Sequence, residues 1–284
     1  MDNSTQKVID TLQKHMSEET LVWHNPCIMA SQANLASGKE YQGINHFVTS
    51  VVGLSEGYTS PYWATFKQIK AAGGTLDNAK GKGVPIIFYK DLPGKDGEEE
   101  GKKRFVVRHS FVFNLDLVSG IDLEPEEVGH CGELDIDNNA QQIIDDYLRR
   151  ECIPVTVGRP AYIPSFDTIR MPNPSAFTSR DEFFSIAFHE AGHSTGHSQR
   201  LARFPQEQTT LESKEEYSRE ELVAECTSAL LCHGCGVDSE ASIKNSAAYL
   251  QGWSRFIKDE AEAFVWAVQQ AYKARAFILD EEGT

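Results

Sequence analysis

A chain of 284 residues, 40% hydrophobic, 24% charged and with a formal net charge of −15, has the composition of a soluble folded protein and is long enough for two cores of ordinary size. No apolar run approaches the roughly 18 residues of a membrane span, and Met1–Lys7 lacks the basic flank and apolar stretch of a signal peptide, so no membrane role and a cytoplasmic location are expected. The charge is unevenly divided: residues 1–120 hold 13 basic and 13 acidic side chains, residues 121–284 hold 14 and 29, and residues 60–110 carry 10 basic against 6 acidic. A polyanionic partner would therefore be met by the N-terminal half.

In chain order, hydrophobic periodicity predicts a short helix over Val8–Met16 and a second opening at Gly43-Ile44-Asn45 and running to about Leu54. Pro61 stands where helices begin, and Trp63–Ala72 is expected to continue as a helix that Gly73-Gly74 stops. Val84–Lys90 and Arg104–Asn114, rich in Val, Ile, Phe and Tyr, suit the two strands of a hairpin. These elements make a small α+β domain over residues 1–125. The acidic, glycine-bearing stretch Ser119–Asn139 is the expected connection.

Beyond it, over residues 135–284, Gln141–Arg150 reads as a helix. Pro154, Pro160, Pro164, Pro172 and Pro174 forbid a long helix before Ser179, leaving Asp167–Met171 as one extended edge. Helices are then expected at about 180–195, 219–232, 242–257 and 260–279. The fold class is α+β, with a mainly helical C-terminal domain bearing a short sheet. The six cysteines lack the regular spacing of a disulfide framework and read as reduced, and Cys232-His233-Gly234-Cys235 has no second pair to complete a zinc site.

The chemistry concentrates near residue 190. Ser179 with Glu182 three residues on has the form of a capping box, which fixes a helix start. On that helix His189 and His193 are four apart, so both imidazoles leave one face about a turn apart and can bind one cation. Glu190 beside the first histidine completes an HExxH pattern, in which the carboxylate serves as general base. Gly196 is expected to end the helix through a left-handed turn. Imidazole and carboxylate donors favour one zinc per chain, with manganese or another divalent ion also admissible.

A third protein donor is needed. A histidine three residues after Gly196 would complete the metzincin pattern, but Gln199 stands there and His197 is too near. A glutamate from a later helix is the better source. Glu221 is taken as that donor, with Glu225 one turn on accepting a hydrogen bond from the far nitrogen of a ligand histidine, and His197 lying close behind the ligands. Ser218-Arg219-Glu220-Glu221 also has capping-box spacing, which leaves open that Glu221 only caps its helix.

Read together, Asp167-Thr168-Ile169-Arg170-Met171-Pro172, the run from His189 to His197, Arg200-Leu201 and the run from Glu220 to Glu225 resemble the ArdC-type antirestriction proteins of conjugative plasmids and phages. So do Tyr41-Gln42-Gly43-Ile44-Asn45, the run from Trp63 to Gln68, Gly73-Gly74 and Val112-Phe113-Asn114. The resemblance spans nearly the whole chain. It implies an N-terminal domain that binds single-stranded DNA without strong sequence preference, and a zincin-like C-terminal domain, together shielding incoming DNA from restriction in the bacterial host cell. Tyr41, Trp63, Phe66, Phe88 and Tyr89 would then offer stacking surfaces, and Lys67, Lys70, Lys80, Lys82, Lys102, Lys103, Arg104 and Arg108 would follow the phosphates. Asn45 and Gln68 enter as DNA contacts through the same motifs. Two other readings stay open: a DNA-binding module whose zinc site is inactive or structural, and a peptidase acting on a specific host protein.

Overall fold

The computed structural model describes residues 2–16, 32–92, 104–121, 136–204, 214–237 and 260–281. They fall into two compact units, one of residues up to 121 and one of residues from 136 onward. Both helices and small sheets are present in an α+β arrangement. The expected helix at 242–257 and most of the connection between the units lie outside the described residues. No helix among the described residues is long and apolar enough to cross a membrane.

The N-terminal unit is a four-stranded sheet with strand order β1-β2-β5-β4, made of β1 (Ala33–Asn34), β2 (Tyr62–Thr65), β4 (Val84–Leu92) and β5 (Arg104–Asn114). A two-stranded ribbon of β3 (Thr75–Leu76) and β6 (Val118–Ser119) accompanies it. The hairpin forms as expected, in the register Val84↔Val112 through Leu92↔Arg104. Helix α1 (Asn3–Met16) packs on this hairpin through Val8, Ile9 and Leu12, all fully buried. It starts five residues before the hydrophobic pattern does, because the Asp2 carboxylate accepts the Ser4 and Thr5 N–H groups at 2.8 and 3.1 Å and caps the first turn. Helix α2 (Gly43–Glu56) lies beside it and ends at Gly57, whose φ of 70° is the left-handed cap that glycine tolerates.

The expected helix over Trp63–Ala72 is corrected. Only Phe66–Ala71 is helical (α3), because Thr65 and Gln68 form a full capping box that starts the helix there. Tyr62–Thr65 is instead a strand, pairing with Val112–Asn114 on one side and with β1 on the other. The fold thereby takes Trp63 into the core, fully buried, its indole N–H donating to Gln32 Oε1 at 2.6 Å and its ring edge-on to Tyr58.

The C-terminal unit builds a three-stranded sheet and a helical bundle around one apolar cluster. Helix α4 (Ile136–Arg150) is followed by β7 (Val155–Val157), β8 (Ala161–Ile163) and β9 (Thr168–Met171), and the strand order is β7-β9-β8. The expected extended segment is thus the centre of the sheet rather than an edge. Its alternating Ile169 and Met171 are buried against the bundle, which only a strand covered on one face requires. Helices α5 (Arg180–Ser194), α6 (Lys214–Cys235) and α7 (Ala261–Ile278) complete the unit.

On α5, Phe184, Ala187, Phe188 and Ala191 follow the i, i+3, i+4, i+7 spacing and enter the cluster with Ile144, Tyr147, Leu231 and Ile278. Burying a side chain such as Phe188 contributes about 1.5–3 kcal/mol. The opposite stripe of α5 carries the histidines. Gly192, mid-helix, is explained by packing: a Cβ there would meet the Ala224 Cα at 3.1 Å and the Thr227 Cβ at 3.3 Å, so the glycine lets α5 and α6 cross closely.

Candidate functional site

The start of α5 is capped as the spacing predicts, but not reciprocally. Ser179 accepts the Glu182 N–H at 3.1 Å, while the Glu182 carboxylate turns to the Thr178 N–H and hydroxyl at 2.8 and 2.6 Å. The helix end differs too. Thr195 stays right-handed, and Gly196 is not in the left-handed region. Its missing side chain makes room for Phe204, whose ring atoms would lie 2.7 and 2.9 Å from a Cβ.

Within this frame the Nε2 atoms of His189 and His193 stand 3.1 Å apart. From α6, Glu221 places Oε2 at 3.5 Å from His189 Nε2 and Oε1 at 3.6 Å from His193 Nε2. A tetrahedral ion with bonds of about 2.0–2.1 Å needs donors about 3.3–3.4 Å apart. The three residues therefore outline one face of such a tetrahedron, and their chemistry, two imidazoles and a carboxylate, fits a divalent cation. Among the described residues this is the one group that could hold a metal. Ser218 and Glu221 sit inside α6, which starts at Lys214, so the capping role left open for Glu221 does not apply.

Glu190 is 7% exposed, and its Oε2 accepts the main-chain N–H of Tyr162 on β8 at 2.7 Å. That strand is itself clamped. The Tyr162 hydroxyl donates to Asp167 Oδ1 at 2.8 Å, its ring stacks on Phe204, and Arg200 pairs with both Asp167 oxygens while donating Nε–H to the Ser194 carbonyl at 2.8 Å. Burial would raise the Asp167 pKa, but the hydrogen bonds from Arg200 and Tyr162 hold it below the ordinary carboxylate value. Asp167 and Arg200, distant in sequence, thus meet to aim one backbone N–H at Glu190. A main-chain donor leaves no side-chain signal for sequence reasoning to find.

A second group was also missed. Glu220, 4% exposed, pairs with Arg203 through both oxygens at 2.9 and 2.6 Å, and its Oε1 faces His193 Nδ1 at 3.5 Å. The carboxylate at the far nitrogen of His193 is therefore that of Glu220; Glu225, which the spacing offers to a ligand histidine, lies half-buried a turn further along α6. Burial would lower the His193 pKa; Glu220 first, then Glu221 and Glu190, raise it above the ordinary value. His197 sits in the turn after α5, its Nδ1 3.3 Å from the Gln199 N–H. Cys226, Cys232 and Cys235 are buried in α6, and burial pushes the Cys232 thiol up to about 12. Their place is in the core.

In the N-terminal unit the structure sorts the suggested DNA contacts. Trp63 cannot stack on a base, since it is fully buried in the core. Asn45 is committed to the β4 edge, donating to the Ile87 carbonyl at 2.6 Å and accepting its N–H at 2.8 Å. Gln68 closes the capping box and bonds Asn34, and the half-buried Tyr41 hydroxyl accepts from Asn34 at 3.2 Å. Phe66, by contrast, is 51% exposed, with the Lys70 ammonium 5.1 Å from its ring centre. Phe88, 44% exposed, stands directly across from the exposed Arg108. Lys67 and Lys80 are exposed, and Lys82 pairs with Glu56 at 3.2 Å. Arg104 opens β5; its side chain, that of Tyr89, and Lys102 and Lys103 lie outside the described residues.

Comparison with known proteins matches these two regions separately. Residues 2–113 match the N-terminal domain of the anti-restriction factor ArdC, and residues 142–270 match the zincin-like metallopeptidase domain. The DNA primase TraC of Escherichia coli is 27% identical over 96% of the chain, which spans 27% of that protein's length. The protein y4eC of Sinorhizobium fredii is 25% identical over 94% of this chain and 87% of its own. Two crystal structures of the antirestriction protein ArdC from plasmid R388 superpose over 99% of the chain. The metal-free one has a TM-score of 0.71 at 27% identity and 97% coverage of that chain; the Mn(II)-bound one has 0.72 at 25% and 98%. The chain thus carries, in order, a region that matches the ArdC N-terminal domain and a region that matches the zincin-like metallopeptidase domain, and in this make-up it is similar to the ArdC antirestriction protein.

Proposed function

We propose that the protein binds single-stranded DNA without strong sequence preference through residues 1–125, and acts as a zinc metallopeptidase through residues 135–284. Together these would protect incoming plasmid or phage DNA from restriction in the bacterial cytoplasm. The observation that carries the reading is the convergence of His189, His193 and Glu221, with the buried Glu190 beside them. His189, His193 and Glu221 would hold one zinc per chain, which would supply Lewis acidity at the scissile carbonyl.

Glu190 works as the general base. Its Oε2 is held by the Tyr162 N–H, which leaves Oε1 to take a proton from the attacking water and return it to the departing amine. On the DNA side, Phe66 and Phe88 supply exposed rings and Lys67, Lys70, Lys80 and Arg108 the cations, the combination that single-strand binding uses. The test is metal analysis of the purified chain alongside gel-shift with single- and double-stranded oligonucleotides and a digest of an unstructured protein. One equivalent of zinc, preference for the single strand and cleavage lost on chelation are expected. A metal-free chain with no DNA shift would end the proposal.

A further inference from the structure

Behind the candidate metal donors lies the ion pair that, among the described residues, has both partners most deeply buried. The side chains of Arg203 and Glu220 are 3% and 6% exposed. Desolvating two charges costs about what their attraction returns, so a buried pair is weakly explained by stability alone. The geometry gives it another use. Arg203 donates to both Glu220 oxygens, to Thr195 Oγ1 at 2.8 Å and to the Gly192 carbonyl at 2.9 Å. Its planar fork is thereby docked on the last turn of α5, where carbonyls lack helical partners.

Glu220 is consecutive with Glu221, yet the two carboxylates meet opposite sides of one imidazole. Glu220 Oε1 faces His193 Nδ1 at 3.5 Å, and Glu221 Oε1 faces His193 Nε2 at 3.6 Å. Two adjacent residues of α6 therefore bracket the His193 ring. We infer that Glu220, held in place by Arg203, is the positioning residue for His193: it accepts the Nδ1–H and so directs the Nε2 lone pair toward the centre shared with His189 and Glu221. This rests on the metal site proposed above. An acceptor at the far nitrogen fixes the tautomer and ring angle of a ligand histidine, and its loss typically lowers metal affinity about 10–100-fold.

The experiment uses the full chain with Zn(II) and Co(II) as probes, in competition with a chromophoric chelator. Glu220→Gln is expected to lower affinity for both ions about 10–100-fold while leaving one equivalent bound at saturation. Because that change strands the buried Arg203 charge, the paired variant Arg203→Met with Glu220→Gln is measured beside it and should show the same loss. Proton NMR of the Co(II)-loaded wild-type chain gives a readout that a purely structural role would not move. The His193 ring N–H should resist exchange with solvent, and in folded Glu220 variants it should exchange freely. Wild-type affinity in either variant, or a freely exchanging ring N–H in the wild type, overturns the inference. A wild-type chain that takes up neither ion overturns the metal reading first and this inference with it, a result distinct from either of the others.

Discussion

The two units place their candidate functional groups in opposite ways. In the C-terminal unit Glu190 and Glu220 are buried, each is held by named hydrogen bonds, and the three candidate metal donors face one another across two tightly packed helices. In the N-terminal unit the groups available to a ligand, Phe66, Phe88, Lys67 and Arg108, stand exposed. A site that must present fixed atoms to a small ion needs rigid surroundings. One that meets a flexible polyanion can work from a surface, with stacking and charge supplied by separate side chains. Single substitutions should therefore act sharply in the first unit and gradually in the second.

The largest effect is expected at the donors. His189→Ala or His193→Ala should lower bound zinc from about one equivalent to near none, because water in place of one of three protein donors forfeits most of the affinity. Glu221→Ala should do the same, and elemental analysis after dialysis reads all three. Full retention of metal in both histidine variants would remove the site altogether. Next comes Glu190→Gln, which keeps shape while removing the proton acceptor. Peptide cleavage should fall at least about 10²–10⁴-fold with metal content unchanged. Restriction protection measured in the same variant shows whether catalysis serves it.

How far each unit was legible follows from the same contrast. An ion demands two histidines at one helical spacing, so His189, Glu190 and His193 can be read directly from the sequence. The second layer could not be read so well. Glu220, Glu221 and Glu225 offer three carboxylates, and spacing alone does not tell which faces His193 Nδ1; the depth of Arg203 decides it for Glu220. The Tyr162 N–H is main chain and carries no signature. In the N-terminal unit the hairpin is clear from its β-branched runs, but Trp63–Thr65 reads as helix when Pro61 is taken as the start, whereas the Thr65-x-x-Gln68 spacing, of the same kind as that at Ser179, is the local signal for the true start. Aromatic residues look alike in sequence whether they will stack on a base or fill a core. Trp63 and Phe66, three residues apart, went to opposite sides of that divide.

This divide can be tested directly. Trp63→Ala should destabilise the protein by about 3–5 kcal/mol, as loss of a buried aromatic does, seen as a lower denaturation midpoint. Phe66→Ala and Phe88→Ala should leave the midpoint nearly unchanged and each cost about 1–3 kcal/mol of affinity for single-stranded DNA. If Trp63→Ala weakened DNA binding at full stability, the burial argument would be wrong. A smaller effect should come from Gly192→Ala. Propensity alone would favour alanine by about 1 kcal/mol. The approach of Ala224 and Thr227 instead makes it an overpacked site, costing about 1–3 kcal/mol net with some loss of zinc affinity as α5 and α6 separate.

The smallest effects are expected at the lysines, and their ranking is informative. Affinity for a single strand should fall with salt at a slope of about −0.7 per phosphate neutralised, so each cation that contacts the backbone should remove roughly that much slope when reversed. Lys67 and Lys80 are exposed, and a phosphate can approach them directly. Lys82 is engaged with Glu56 at 3.2 Å across a partly exposed pair, which is worth about 0–1 kcal/mol and must be loosened before Lys82 meets DNA. Lys67→Glu and Lys80→Glu should therefore weaken binding to all sequences alike and flatten the salt dependence more than Lys82→Glu. In the Lys82 variant part of the loss reflects the unpaired Glu56 left beside the ligand, so adding Glu56→Gln should restore some affinity to Lys82→Glu. It should raise the affinity of the wild-type background slightly, by freeing Lys82. Equal losses at all three lysines, with no response to Glu56→Gln, would show that binding senses only the total charge of the unit and no particular surface on it.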